Sequence, residues 1–205
     1  MIRSDAGTFI VIEGIDGAGK SQLVATVAEH LRKAGVTVAT SREPTYGPWG
    51  KKLRDSAATG RLPVDEELRL LIEDRREHVR DVILPALSRG ETVILDRYFY
   101  STAAYQGSRG ANPDAILASM SAEFPIPDVV FLIDLPAEVG LARIAEGRGE
   151  VPNHFERLES LSAARAEYRK MATHFSNMVV VDGTQSVEAV RGEIIRCLSG
   201  RGLPR

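Results

Sequence analysis

Residues 14–21 read Gly14-Ile15-Asp16-Gly17-Ala18-Gly19-Lys20-Ser21, a glycine-rich stretch that ends in a lysine and a serine. The apolar run 9–12 precedes it, and a helical pattern begins near Gln22. Gly-x4-Gly-Lys-Ser between a strand and a helix is typical of a phosphate-binding loop. Its glycines let backbone N–H groups turn toward phosphate oxygens, and the helix adds the positive end of its dipole. We predict that this stretch binds a nucleoside triphosphate, the alternative being a plain glycine-rich turn.

Three side chains complete this prediction. Lys20 is placed to reach the β- and γ-phosphates, and Ser21 is placed to ligate Mg²⁺. Asp96 ends an apolar strand, where a carboxylate has no use in packing. In an enzyme with a phosphate loop, an acid at such a position is expected to hold the Mg²⁺ shell opposite Ser21. The alternative for Asp96 is an N-cap of the helix that follows.

Composition indicates one globular domain spanning residues 1–205. The chain is 43% hydrophobic and 26% charged, ordinary values for a globular protein, and it is long enough to bury a full core. A formal net charge of -2 argues against a general nucleic-acid binder. Cys197 is the single cysteine, which excludes an intramolecular disulfide or a zinc site built on cysteines. With neither a signal-peptide pattern nor a membrane-spanning stretch in the sequence, we expect a cytoplasmic protein.

Helical and strand patterns alternate along the chain. The strand candidates are short apolar runs rich in β-branched residues, at 8–13, 36–41, 92–96, 128–134 and 178–182. The helical patterns are at 20–34, 64–88, 136–146, 157–174 and 186–199. This alternation predicts an α/β fold with a five-stranded parallel sheet flanked by helices. Right-handed crossovers place the loops after the strands along one edge, where ligands of such folds bind.

The pattern at 64–88 contains an arginine on its apolar face. The apolar stripe has the 3-4 spacing of a buried helix face and consists of Leu68, Ile72, Val79, Val82 and Ala86. Arg75 falls on the same stripe, and an arginine there needs an anionic or carbonyl partner to offset its desolvation. That partner is either a core carboxylate or a ligand in the cleft.

Residues 96–107 read Asp-Arg-Tyr-Phe-Tyr-Ser-Thr-Ala-Ala-Tyr-Gln-Gly. Together with the phosphate loop, Arg42-Glu43-Pro44 and Arg75, this segment resembles the thymidylate kinase family in order and approximate spacing. The resemblance runs from about residue 8 to residue 182. It implies a P-loop nucleoside monophosphate kinase fold, Mg²⁺ as cofactor, ATP and dTMP as substrates, transfer of the γ-phosphoryl group to the 5′-phosphate of dTMP, and a homodimer.

The resemblance also implies roles for individual residues. Asp16 would meet the sugar 3′-hydroxyl or support the acceptor end of the loop, Arg97 and Arg54 would hold the acceptor phosphate, Arg75 would donate to a base carbonyl, and Tyr105 would disfavour a 2′-hydroxyl. The expected dTMP-binding residues are Asp16, Glu43, Pro44, Arg54, Leu71, Arg75, Arg97, Ser101, Thr102, Tyr105 and Gln106. The expected ATP-binding residues are Gly14, Ile15, Asp16, Gly17, Ala18, Gly19, Lys20, Ser21 and Arg143. The expected catalytic residues are Asp16, Lys20, Arg97 and Arg148.

Residues 143–156 break the helical periodicity between two helices and are interpreted as a short lid. Arg148 lies between two glycines, Gly147 and Gly149, which can act as hinges. Phosphoryl transfer benefits from positive charge near the γ-phosphate, and Ala18 occupies the loop position where some family members carry an arginine. We therefore expect the catalytic arginine in the lid, with Arg148 as first choice and Arg143 as second. The alternative is a solvated charged loop.

Two departures from the family pattern affect the base pocket. Leu71 stands where an aromatic residue usually stacks on thymine, four positions before Arg75. Tyr46 or Trp49 could restore an aromatic wall or pack in the core, and Glu73 places an acid near the pocket. The alternatives to dTMP phosphorylation are a kinase of the same fold for another deoxynucleotide or a nucleoside, and a regulatory nucleotide switch.

Overall fold

The computed structural model describes residues 7–148 and 158–204, apart from the side chains of 57–59 and 147–148. Within these residues the chain forms one parallel sheet with the strand order β2-β3-β1-β4-β5. The strands are β1 (Thr8–Glu13), β2 (Val38–Arg42), β3 (Thr92–Asp96), β4 (Val129–Asp134) and β5 (Met178–Asp182). The predicted α/β class and five-stranded parallel sheet are confirmed, although β2 begins and ends later than the predicted 36–41.

The central strand, β1, is buried on both faces, because helices cover both sides of a parallel sheet. It pairs with β3 on one side and with β4 on the other, so that Ile12 is opposite both Asp96 and Phe131. This register brings the ends of β1 and β3 to the same edge of the sheet. The phosphate loop therefore starts beside Asp96.

The helices are α1 (Lys20–Lys33), α2 (Pro48–Thr59), α3 (Val64–His78), α4 (Leu84–Ser88), α5 (Phe99–Gly107), α6 (Pro113–Glu123), α7 (Ala137–Arg148), α8 (Leu158–His174) and α9 (Val187–Gly200). Three of these helices, α2, α5 and α6, were not predicted from the sequence. Most of α5 is buried and therefore lacks a polar face to reveal its period. The start of α6 did carry a signal, since the Asn112 side chain caps the N–H groups of Asp114 and Ala115 just before Pro113.

The predicted helix 64–88 is helical throughout but not uniform. A π-helical turn, Val79–Ile83, separates α3 from α4. Such a turn adds residues to one turn of the helix and so rotates the face that follows. Val82, predicted in the buried stripe, is 41% exposed, whereas Ile83 is fully buried. The prediction for Val82 is wrong, because a uniform 3.6-residue period was assumed across this turn.

The predicted lid, 143–156, extends beyond the described residues. Residues 143–148 form the last part of α7, and 149–156 lie outside the described part of the chain. In the described ranges, no helix combines the length and apolarity that are needed to cross a membrane.

Candidate active site

The phosphate loop has a backbone that requires glycine. Gly14, Gly17 and Gly19 have φ angles of 144°, 81° and 78°, which other residues rarely adopt. A Cβ on Gly17 would lie 2.2 Å from the Gly140 carbonyl oxygen, and one on Gly14 would lie 2.6 Å from the Ile133 carbonyl oxygen. The loop thus fits closely against the end of β4 and the first part of α7, and its tight turn leads directly into α1.

Lys20 lies inside this loop and is buried. Its Nζ donates a hydrogen bond to the Ile15 carbonyl oxygen at 2.8 Å. Burial lowers the pKa of Lys20 to about 8, and the neighbouring Arg97 charge contributes to the shift. A buried ammonium in a glycine-rich loop is suited to binding an anion, because a phosphate would restore the electrostatic partner that burial removes.

Ser21 and Asp96 meet at the edge of the sheet. The Ser21 hydroxyl donates to one carboxylate oxygen of Asp96, and the other oxygen, Oδ1, is buried without a hydrogen-bond partner in the described residues. The N-cap alternative for Asp96 is wrong, because the capping position of α5 is Tyr98 and the backbone N–H of Ser101, in the first turn of α5, donates to the Glu13 carboxylate instead. A hydroxyl beside a carboxylate with an unpartnered oxygen fits the oxygen ligands that Mg²⁺ prefers.

A cleft of about 620 Å³ surrounds the loop. The guanidinium of Arg143 lies along this cleft, where its Nη1 donates to the Gly183 carbonyl oxygen at 2.8 Å. The part of the wall next to Arg143 comes from the loop after β5 and the start of α9, and consists of Gly183, Gln185, Ser186, Val187 and Val190. This part of the wall was not predicted from the sequence, although its position at the end of a parallel strand was a signal for it.

A second cleft, of about 300 Å³, adjoins the first. Every residue that the resemblance implied for dTMP binding lines it: Asp16, Glu43, Pro44, Arg54, Leu71, Arg75, Arg97, Ser101, Thr102, Tyr105 and Gln106. The lining also includes residues that were not expected there: Leu53, Arg61, Glu67 and Tyr98. Asp16, Arg42 and Arg97 line both clefts and therefore mark the place where the two meet.

Arg97 is held at this junction by a strained backbone. It has a φ angle of 73°, the only positive value among the described residues other than glycine. Its guanidinium forms an ion pair with Asp16, donates to the Ser101 hydroxyl at 3.1 Å and lies over the Tyr105 ring at 5.1 Å. This network places a fixed positive charge between the two clefts.

Arg75 has a core carboxylate as partner and also lines the second cleft. Its side chain is 1% exposed and pairs with Glu43 at 2.6 Å, and its Nη2 donates to the Thr102 hydroxyl at 3.0 Å. His78 binds the other Glu43 oxygen at 3.0 Å. Burial alone would raise the pKa of Glu43, but Arg75 and His78 bring it below its ordinary value. The ion pair thus holds Arg75 in the wall of the cleft.

The expectations about aromatic and acidic neighbours need correction. Tyr46 is 76% exposed, and neither Tyr46 nor Trp49 lines the second cleft, so neither restores an aromatic wall there. Glu73 is turned away from the cleft and pairs with Arg76 at 2.7 Å. The acids that line the cleft are Asp16, Glu43 and Glu67. Glu67 was missed, because α3 begins with three consecutive acids and the sequence does not show which one turns inward.

Arg148, the first choice for a lid arginine, is the last residue of α7, and its side chain lies outside the described part of the chain. Arg54, expected at the acceptor phosphate, donates to the Thr45 carbonyl oxygen at 2.6 Å and stacks on the Tyr46 ring at 4.9 Å. These contacts hold the Arg54 side chain at the rim of the second cleft.

The phosphate loop, the acid at the end of β3 and an adjoining arginine-lined cleft define a P-loop kinase of the α/β class. A family model described as thymidylate kinase matches residues 12–194. The chain is 50% identical over 184 residues to a thymidylate kinase of Xanthomonas campestris pv. campestris, and the matched residues cover 90% of this chain and 79% of that relative. It is 49% identical over 184 residues to a thymidylate kinase of Xylella fastidiosa, and there the matched residues cover 90% of this chain and 83% of the relative. The chain belongs to the thymidylate kinase family, and the resemblance in its sequence is confirmed.

Proposed function

We propose that this protein transfers the γ-phosphoryl group of ATP to the 5′-phosphate of dTMP and forms dTDP, with the two adjoining clefts as its donor and acceptor sites. Family membership and the half-identical relatives confirm the predicted ATP-dependent kinase and its reaction, and they do not favour the alternatives. The observation that carries the assignment of sites is the meeting of the two clefts at Asp16 and Arg97.

On the donor side, the loop N–H groups and Lys20 hold the triphosphate, and its base extends toward Arg143 and the loop after β5. In this arrangement the γ-phosphate lies toward Arg97, next to the second cleft. Charge on the transferred group is spread over its oxygens in the transition state, so that fixed cations supply most of the catalysis. Lys20 and Arg97 are such cations, and their contacts hold both side chains in place before substrate binds.

On the acceptor side, Arg97 and Arg54 hold the 5′-phosphate of dTMP, and Asp16 lies near the sugar. Arg75 donates to a carbonyl of the base. Its Nε and Nη2 already bind Glu43 and Thr102, which leaves Nη1 for the ligand and for a weak contact with the Met120 sulfur at 3.3 Å. Leu71 covers one face of the base by dispersion contacts, and Tyr105 favours a sugar without a 2′-hydroxyl.

Mg²⁺ is held by Ser21 and Asp96 in this proposal. The unpartnered Asp96 Oδ1 supports this role, because an ion would satisfy a buried oxygen that is otherwise costly. When bound, Mg²⁺ neutralises phosphate charge. We expect Asp96→Asn to lower kcat about 100-fold while ATP binds with little change in the presence of EDTA. Equal kcat values for Asp96→Asn and wild type across a Mg²⁺ titration would contradict the assignment.

The test of the function is a panel of acceptors with Mg·ATP. ADP release should rise sharply on adding dTMP and weakly on adding dUMP, dCMP, dGMP or AMP. Equal stimulation by every acceptor, or stimulation by none, would exclude dTMP as the specific substrate. ATP hydrolysis that depends on a protein partner rather than on a nucleotide acceptor would favour the switch instead.

The lid supplies a further cation in this proposal, from Arg148. This proposal is supported by the sequence, since Ala18 leaves the phosphate loop without an arginine and Arg148, the last residue of α7, lies within the predicted lid, 143–156. Arg148→Ala should lower kcat by about 1000-fold and leave the Kd for dTMP nearly unchanged. Arg143→Ala is the matched control, because Arg143 is already bound to the Gly183 carbonyl and should mainly affect the KM for ATP. An unchanged kcat in Arg148→Ala would move the catalytic role elsewhere.

The proposal also covers the domain organisation, the oligomeric state and the cellular location of the protein. We take residues 1–205 as a single domain with a lid near 143–156, the chain as a homodimer, and its location as the cytoplasm, where ATP and deoxynucleotides are available. Sedimentation equilibrium tests the dimer, and a monomer at micromolar concentration would exclude it. Cell fractionation tests the location.

A further inference from the structure

Glu67 lines the second cleft and accepts four hydrogen bonds. Arg61 binds it in fork geometry, with Nε at 3.1 Å from Oε2 and Nη2 at 3.0 Å from Oε1. Arg109 binds Oε2, and the Gln106 amide Nε2 donates to Oε1 at 3.1 Å. The carboxylate is almost fully buried, yet all of these partners are in place. Glu67 is therefore an immobile acceptor, fixed by two arginines.

Gln106 is held from both ends of its amide. Its Nε2 faces the Glu67 carboxylate, which can only accept, and its Oε1 accepts from Arg109 Nη1 at 3.2 Å, a group that can only donate. Arg109 is itself anchored by a bond from Nη2 to the Leu62 carbonyl oxygen at 2.8 Å. A flipped amide would set its carbonyl against a carboxylate and its N–H against a guanidinium. Two charge-assisted bonds would become two repulsions.

We propose that Glu67 is a positioning residue that fixes the orientation of the Gln106 amide and thereby makes the acceptor cleft selective against cytosine. The inference rests on the proposed function, in which this cleft holds the base of dTMP. Gln106 lines the cleft, as Glu67 itself does, and in this proposal the Gln106 amide is the group that meets the base.

The chemistry of the bases explains the selectivity. Thymine and uracil carry an N3–H donor beside a C4 carbonyl, whereas cytosine carries an N3 acceptor beside a C4 amino group. A glutamine that is free to flip can match either pattern, because its amide offers a donor at one end and an acceptor at the other. A glutamine held in one orientation presents one pattern. A base with the opposite pattern then leaves buried polar groups unpaired, which a cleft of this kind penalises strongly.

The test compares kcat/KM for dTMP and dCMP in the wild type and in Glu67→Gln. A carboxamide at position 67 can accept from or donate to Gln106, so the residue at position 67 no longer excludes the flipped amide, and only Arg109 still opposes it. We expect the dTMP-to-dCMP ratio to fall by about 10-fold or more, through a higher kcat/KM for dCMP. Glu73→Gln is the matched control on the same helix, because Glu73 pairs with Arg76 away from the cleft, and it should leave the ratio unchanged.

Two further variants keep the test decisive. Arg109→Met removes one of the two constraints and should reduce the ratio by a smaller factor, which also decides the matter if Glu67→Gln fails to fold. In a Gln106→Leu background there is no amide to orient, so adding Glu67→Gln should not change the ratio again. Equal losses for dTMP and dCMP in Glu67→Gln and Arg109→Met would show a merely structural role and overturn the inference. A wild type that fails to phosphorylate dTMP would instead overturn the proposed function.

Discussion

Lys20 and Arg97 show how single residues are held ready for an anion. Lys20 is desolvated inside the phosphate loop, and Arg97 adopts a left-handed backbone at the junction of the clefts. Both arrangements cost free energy in the ligand-free protein. The cost is tolerable because neighbouring groups, the Ile15 carbonyl for Lys20 and Asp16 for Arg97, hold each side chain. A bound phosphate then interacts with cations that need no rearrangement.

The lowered pKa of Lys20 predicts that ATP binding depends on pH. Below about pH 8 the ammonium is charged before ATP arrives, whereas above it the free protein has lost this proton. Phosphate favours the charged form, so above about pH 8 ATP binding must take up a proton, and affinity falls by up to about tenfold per pH unit. Calorimetry at about pH 9 in two buffers of different ionisation enthalpy measures this uptake.

Two variants test whether Lys20 is the group that takes up this proton. Lys20→Met should abolish the uptake, whereas Lys170→Met, which removes an exposed lysine on α8, should retain it. Proton uptake of equal size in Lys20→Met and wild type would show that another group titrates.

At the scale of elements, the two halves of the helical segment 64–88 have different surroundings, because the first half lines the second cleft and the second half packs in the core. Its first part, α3, turns Glu67 and Arg75 toward the second cleft. After the π-helical turn, Ile83 and Leu87 pack into the core beside the sheet. The π-helical turn rotates the helix, so that one continuous segment can face the second cleft with α3 and the core with the residues after the turn. A uniform α-helix would not point these residues in both directions.

Because of the π-helical turn, we expect two neighbouring apolar residues, Val82 and Ile83, to contribute very differently to the free energy of unfolding. Ile83→Ala should lower the free energy of unfolding by about 2–5 kcal/mol, because it leaves a cavity in the core. Val82→Ala should lower it by about 0.5 kcal/mol or less, since this side chain is largely exposed. Urea unfolding of both variants measures the difference. A larger loss for Val82→Ala would indicate that the segment continues as an unbroken α-helix.

The sheet was predictable from the sequence because its central strands, β1, β3 and β4, are buried on both faces and therefore read as short apolar runs, as Val129–Asp134 does. The phosphate loop was predictable because its glycines follow from backbone geometry. By contrast, α5 has no polar face, and the π-helical turn breaks the period by which a helix is recognised. These elements depend on tertiary packing that no local pattern contains.

For the candidate site, the sequence located residues but not the contacts between them. Arg75 was predictable as a cation on an apolar stripe, yet its partner Glu43 is 32 residues away in sequence. The environment of Glu67 combines Arg61 with Gln106 and Arg109, which lie on a different segment. Long-range ion pairs of this kind leave no periodic signal. The fold has to bring the segments together before the network can be recognised.

At the scale of the whole molecule, Glu13 connects three parts of the fold. It ends β1 and is fully buried, and it accepts hydrogen bonds from the Tyr98 backbone N–H at 2.8 Å, the Ser101 hydroxyl at 2.6 Å and the Tyr168 hydroxyl at 2.8 Å. Tyr168 belongs to α8, the helix that follows the predicted lid, and Ser101 also binds Arg97. The end of β1, the start of α5 and the helix α8 therefore share one carboxylate.

The stability of the molecule should depend on pH through this carboxylate. Burial raises the pKa of Glu13 above its ordinary value of 4.5, although its hydrogen bonds and Arg97 act in the opposite direction. The folded protein therefore holds more protons than the unfolded chain between pH 4.5 and the raised value, so stability falls as the pH rises through this window. The wild type should lose about 1.4 kcal/mol in its free energy of unfolding for each pH unit between the unfolded-state and folded-state pKa values of Glu13. Glu13→Gln has no carboxyl at this position to titrate, so it should not show this loss.

Urea unfolding of wild type and Glu13→Gln at several pH values between about 4.5 and 8 checks this expectation. The free energy of unfolding of Glu13→Gln should improve relative to wild type as the pH rises, because only the wild type must ionise a buried acid. Glu29→Gln is the control, since Lys33 lowers the pKa of the exposed Glu29 below its ordinary value of 4.5, so that its difference from wild type should stay nearly constant over this range. A difference between Glu13→Gln and wild type that stays constant over this range would mean that Glu13 keeps one protonation state throughout. The shared carboxylate would then connect the three elements without making their stability depend on pH.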